Sequence, residues 1–156
     1  MSLYSSHSLK LNSKFKIPLI YFGASFVLHL IWENFHAPLY VGFEVFGQHF
    51  LRCLYATATG DMLFMLTIYL VLAVVHKNLW WGSDRKNYLH PATWILPVVM
   101  GVLISVGFEL WAVYVDHRWV YGSMPLIPVI KVGLTPVLQM IFIPLMVVFI
   151  SKIFSK

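Results

Sequence analysis

The chain has 156 residues, a net charge of +5 and a single cysteine; 60% of its residues are hydrophobic, 17% aromatic and 11% charged. Soluble domains carry roughly 25% charged residues, so this composition excludes a soluble protein and points to an all-α integral membrane four-helix bundle whose first partner is the lipid bilayer. Cys53 alone excludes an intrachain disulfide or a thiolate metal cluster within one chain, and the basic residues form no nucleic-acid motif, so no nucleic-acid partner is expected.

Residues 1–16 are polar and serine-rich, with Lys10, Lys14 and Lys16 flanking the first apolar run as a cytoplasmic segment would. The run is too long for a signal peptide, and Trp32, Glu33 and Asn34 stand where a cleavage site would be approached. The transmembrane domain is expected over 17–150. Its first span covers 17–40, with Pro18 in the first turn and Pro38 at the exit. An aromatic stretch containing Phe43, Phe46 and Phe50 is expected to lie in the interface.

The second span, 53–75, opens on Ala56-Thr57-Ala58-Thr59-Gly60, small residues that permit close helix approach, and then meets Asp61. The wet loop 76–91 carries Trp80 and Trp81 at belt height. The third span, 92–115, sets Gly101, Ser105 and Glu109 four apart on one face. A connection too apolar for a hydrated loop follows, with Arg118, Trp119 and Tyr121, and is expected to fold back over the bundle. The fourth span is expected over 129–150, interrupted by Pro136 and Pro144, before a cytoplasmic tail at 151–156. Eight of the eleven Lys and Arg residues fall on one side of this layout, leaving Arg52, Arg118 and Lys131 on the other. That bias puts both termini in the cytoplasm.

Topology converts position into depth. Glu33, Asp61, Glu109 and Thr135 all fall about six to eight residues inside the outer ends of their spans, a depth of ~9–12 Å. Carboxylates at such depth cost ~2.5–3.5 kcal/mol each on insertion scales and so usually face a bundle interior. His29, Glu33 and His36 share one helical stripe, as do Lys131, Thr135 and Gln139. The bland account of this grouping is ion pairs that lock short helices together without chemistry. Three carboxylates at one level exceed what such glue needs.

The candidate roles are Glu33 and His29 as general acid and base, with Asp61 and Glu109 stabilising developing positive charge. Arg118 and Lys131 would orient an anionic head group. Gln139, His36, Tyr121 and Trp119 complete the expected binding set, around a lipid-like or amphipathic small molecule. Glu33-x-x-His36 has the spacing of carboxylate-bridged di-iron bundles, but no second such pair exists, so neither metal nor cofactor is expected. The alternatives are a proton-linked transporter, which would have to dimerise, through the Gly101-x-x-x-Ser105 face, or a small subunit of a membrane complex.

One set of residues carries a resemblance: Leu28-His29, Trp32-Glu33, Pro38-Leu39-Tyr40, Gly60-Asp61, Glu109, Trp119-x-Tyr121, Met124-Pro125 and Gly133-Leu134-x-Pro136-x-x-Gln139. Over roughly residues 27–145 the chain resembles a family of small bacterial inner-membrane proteins of four spans. The resemblance implies that architecture and membrane, and no activity. At the level of fold alone, the chain is similar to membrane enzymes of the sterol-isomerase type, which hold a histidine and glutamates inside a helical bundle.

Overall fold

The computed structural model describes residues 13–43, 45 and 49–155. Lys10, Phe46, Lys156 and the rest of the 1–12 flank lie outside the described residues. Four long apolar helical runs make up the fold, each long enough to cross a membrane. The first is α1 (Ser13–His36), closed by a 3₁₀ turn at Ala37–Leu39. The second is built from α2 (Phe50–Ala56), a π-helical turn (Thr57–Asp61) and α3 (Met62–Val75). The last two are α4 (Ala92–Tyr114) and α5 (Leu134–Phe154). Large apolar side chains remain exposed on every helix, among them Phe35, Leu63, Leu103 and Phe142. In water such a belt would be an aggregation surface; in a bilayer it is the lipid contact.

Lys16 Nζ lies 3.4 Å from the carbonyl of Phe154, so the start of α1 and the finish of α5 share one end of the bundle. The 77–91 segment closes that end. Trp81 is not at belt height, as its place in a polar loop suggests, but fully buried, packed with Tyr21, Tyr69 and Tyr88. Hydrogen bonds hold the plug: Tyr88 donates to Gly82 O (3.0 Å), Trp94 Nε1 to Tyr88 O (2.9 Å) and Tyr69 to Leu79 O (2.7 Å). Burial pushes the Tyr88 phenol pKa well up, which keeps it a donor.

Two helix boundaries depart from the apolar pattern. Helix α1 begins at Ser13, upstream of the run, so Pro18 lies beyond the first turn and leaves the Lys14 carbonyl without its helical partner. Helix α5 begins at Leu134 and not near residue 129, because residues 126–133 are tied into a tight turn by Ile127 N to Val132 O (2.9 Å) and Leu134 N to Pro125 O (2.8 Å). Pro136 consequently falls in the first turn of α5, where its missing N–H costs nothing, and only Pro144 interrupts the helix.

Pro144 has a structural consequence. Without its N–H, the carbonyl of Met140 loses its helical hydrogen bond. Helix α4 presents Gly101 to that carbonyl, so near that a Cβ at position 101 would lie 1.9 Å from the oxygen. Gly101 and Ser105 are therefore buried inside the bundle against α5, which corrects the expectation that this face serves a homodimer. The helices pack α1 and α4 on α5, α3 on both α1 and α4, and α2 with its π turn on α1.

Gly101→Ala tests the close approach. Overpacking costs typically ~1–3 kcal/mol, against at most ~1 kcal/mol gained from helix propensity, so the clash wins. Thermal unfolding in detergent should show a lowered Tm for Gly101→Ala. Gly107→Ala, whose Cβ would meet nothing within 4 Å, should leave Tm unchanged or slightly raised.

Candidate functional site

The end of the bundle away from the Trp81 plug holds the ionisable groups. Buried side chains on the second helical run fall at Cys53, Thr57, Asp61 and Met65, three steps of four. In an ideal α-helix each such step drifts by ~40° around the axis, since 3.6 residues make a turn. The π turn at Thr57–Asp61 unwinds the helix and absorbs the drift, so that Asp61 still faces inward. The small residues around Gly60 form this irregular turn, and through it the second helical run packs closely on α1.

Gln139 on α5 joins two groups of α1. Its Nε2 lies 3.0 Å from Glu33 Oε1 and 2.9 Å from His29 Nδ1. A carboxamide nitrogen has two hydrogens, so it can donate one to the carboxylate and the other to the imidazole lone pair, an arrangement in which neutral His29 carries its proton on Nε2. Asp61 Oδ2 stands 3.6 Å from the same His29 Nδ1. On the other side of Glu33, Oε2 is 3.3 Å from His36 Nε2. His36 is oriented from behind by α5: its Nδ1 is 3.1 Å from Thr135 Oγ1, which itself donates to Met124 Sδ at 3.0 Å. A polar chain thus runs Asp61, His29, Gln139, Glu33, His36, Thr135 across three helical runs.

Glu109 belongs to a second group. Residues 115–133 fold back over the bundle: Tyr121 bridges Tyr40, with Val41 N to Val120 O at 3.0 Å and Gly122 N to Leu39 O at 2.9 Å. This brings the Tyr121 hydroxyl to Glu109 Oε2, to which it donates, while accepting from Gly133 N at 2.9 Å. Burial, and then the Glu109 carboxyl, push the Tyr121 phenol well above its ordinary pKa; burial and the Glu109 and Glu33 carboxyls do the same to Tyr40. Both phenols therefore keep their protons.

Glu33, Asp61, Glu109, His36, Gln139 and Tyr40 line one cavity of about 280 Å³. Arg118, Trp119 and Arg52 border it, and Phe43, Phe64, Phe108 and Met140 supply apolar wall. His29 stands behind Gln139, fully buried. Several expectations need correction. Lys131 is exposed and absent from the lining, its carbonyl taking the Tyr114 hydroxyl at 2.8 Å. Thr135 is the second residue of α5, so Gln139 is the α5 group at the depth of the acids. Asp116 lies past the end of α4 and pairs with Arg118, which therefore reaches the cavity with one carboxylate already on it.

Tyr40, Met124 and Cys53 were not among the expected site residues, and only Tyr40, followed by a left-handed Gly42, has a turn signal that hints at a fixed position. Among the described residues no three His, Cys, Asp or Glu side chains form a metal-ligand group. The buried Asp61 Oδ2, Thr57 Oγ1 and His29 Nε2 have no hydrogen-bond partner.

Compared with known proteins, the chain matches no family model, no curated protein and no solved structure. Fold and site together define a polytopic membrane protein of four long apolar helical runs with a cluster of buried polar and charged side chains.

The Gln139 amide is the testable joint. Gln139→Leu strands Glu33 Oε1 and His29 Nδ1, at about 1–3 kcal/mol for each buried group left unmade. Tm in detergent should fall clearly. Pairing the change with His29→Leu should destabilise by less than the sum of the two single variants, because both remove the same contact.

Proposed function

We propose that this protein carries a membrane-embedded acid–base site acting on a lipid-like or amphipathic molecule. One observation supports this reading above the others: acids from three helical runs converge on a cavity, yet none of them pairs with an arginine or lysine among the described residues. Glu33 faces Gln139 and His36, Asp61 faces His29, and Glu109 takes the Tyr121 hydroxyl. A structural lock would neutralise each carboxyl with a base, since an uncompensated buried charge is expensive. Here the partners are an amide, a phenol and two imidazoles, of which the imidazoles can exchange protons.

In this mechanism Glu33 is the proton carrier. Gln139 fixes one of its oxygens and leaves the other toward His36, so a proton can pass between Glu33 and His36 while the carboxyl holds its orientation. Asp61, with one oxygen free of hydrogen bonds, and Glu109, held by Tyr121, stabilise positive charge developing on a substrate in the cavity. With both termini in the cytoplasm of a bacterial inner membrane, the site lies in the outer half of the bilayer. The transporter alternative is less favoured. Beyond Asp61 and Gln139 the core closes with Met65, Ile68, Leu72, Ile143 and Val147, all buried.

Glu33→Gln separates chemistry from glue. The amide preserves shape and loses the titratable proton. Incubation of wild type with a total bacterial membrane-lipid extract, followed by lipid mass spectrometry, should show a converted species. Its rate should fall by about 10²-fold or more in Glu33→Gln, the usual span of general acid–base catalysis, with Tm nearly unchanged. A large loss of Tm with unaltered turnover would contradict the assignment.

A further inference from the structure

The cavity has a wall that faces lipid. Tyr55 is 71% exposed and Thr59 is also exposed, yet both line it, together with Ala56 and Gly60. The reason lies in the packing. Helix α2 and the π turn lean mainly on α1, while α3, further along, makes the main contact with α4. The two runs are in contact at Phe64 and Phe108, whose rings stand edge to face at 5.3 Å. The opening is flanked by Tyr55, Ala56, Thr59 and Gly60 on one side and by Ser105 and Phe108 on the other.

The charge along this opening is ordered. Arg118 follows the end of α4, with the Asp116 carboxylate on its Nε and its guanidinium 4.4 Å from the Trp111 ring centre. The terminal N–H donors of the fork remain available. Arg52, near the start of α2, has no carboxylate partner among the described residues and lies 5.2 Å from the centre of the Phe43 ring. Both arginines line the cavity and are exposed, whereas Asp61 and Glu109 are buried and Glu33 is half-buried. A ligand that fits must carry its anion at the rim and uncharged atoms at the level of the acids. At about 280 Å³ the cavity lies at the small end of ligand sites, roughly 300–1,000 Å³, so it holds a head group and the first part of a chain. The rest of the chain can stay in the bilayer through the opening.

Resting on the acid–base reading above, we infer that the site takes a single-chain amphiphile with one anionic head group, which enters sideways from the bilayer between the π turn and α4. Arg52 and Arg118 hold the anion, the chain leaves past Gly60, and the carboxyls face atoms just below the head group. The acids thereby act at tail depth, on the part of the molecule that water does not reach.

The full chain in phosphatidylcholine nanodiscs, with radiolabelled dodecyl phosphate as probe, tests this. Wild type should bind saturably, and dodecyl phosphate should compete at least tenfold better than dodecyltrimethylammonium. Inorganic phosphate should not compete. Arg52→Gln combined with Arg118→Gln should weaken binding tenfold or more. A Cβ at position 60 would meet nothing within 4 Å, so Gly60→Leu can begin without a clash and add bulk at the opening. It should abolish binding with Tm unchanged, as should Ala56→Leu, whereas Gly107→Leu on the lipid face of α4 should bind as wild type does. Equal binding of the cationic amphiphile, competition by inorganic phosphate, or undiminished binding in both Gly60→Leu and Ala56→Leu would overturn the inference. Glu33→Gln should still bind; binding without any lipid conversion would leave this inference standing and remove the acid–base reading.

Discussion

The two hydrogens of the Gln139 carboxamide are the constraint on which the site depends. One meets Glu33 and the other His29, so a single side chain of α5 fixes two ionisable groups of α1, an arrangement in which neutral His29 carries its proton on Nε2. The next residue, Met140, offers the carbonyl that Pro144 leaves unpaired, and Gly101 brings α4 against it. Within one stretch, then, α5 is tied to α1 by an amide and to α4 by bare backbone. The part of the second helical run before α3 leans mainly on α1, not on α4. It rests on α1 through the π turn, and the opening beside Gly60 follows from that asymmetry.

Energetics separate a site from a lock. A lock made of buried carboxylates is stable only where bases compensate them, because desolvation otherwise exceeds the Coulomb gain. Arg52 and Arg118 remain at the rim, Arg118 pairs with Asp116, and Lys131 is exposed. The acids instead use imidazole, amide and phenol partners, and Asp61 keeps an oxygen without any hydrogen bond. Buried polar groups are nearly always satisfied in folded proteins, and Asp61 Oδ2 is enclosed with His29 Nδ1 3.6 Å away.

Much of this was legible in the chain. Four apolar runs of membrane length specify the helices, and counting residues from their ends puts Glu33, Asp61 and Glu109 at one level. Three features were hidden. The π turn was hidden because Thr57-Ala58-Thr59-Gly60 reads equally as a regular packing face, and the step of four from Cys53 to Met65 recurs at Thr93, Pro97, Gly101, Ser105 and Glu109 of α4, which is regular α-helix. Trp81 was hidden because a tryptophan in a polar loop usually marks the interface, and its burial depends on Tyr21 and Tyr69 from other helices. The role of Gln139 was hidden because helix α5 starts late: the turn at 126–133 consumes residues that hydropathy alone assigns to the span, moving Thr135 to the helix start and Gln139 to the depth of the acids.

The most direct measurement of the central claim is nitrogen NMR of the imidazole of His29 in the full chain in a bilayer, with histidine and glutamine side chains labelled. The predicted result is a proton on Nε2, a bare Nδ1, and a hydrogen-bond coupling from Nδ1 to the Gln139 amide nitrogen that disappears in Gln139→Leu. A proton resident on Nδ1, or an Nδ1 signal indifferent to the loss of Gln139, would contradict the account.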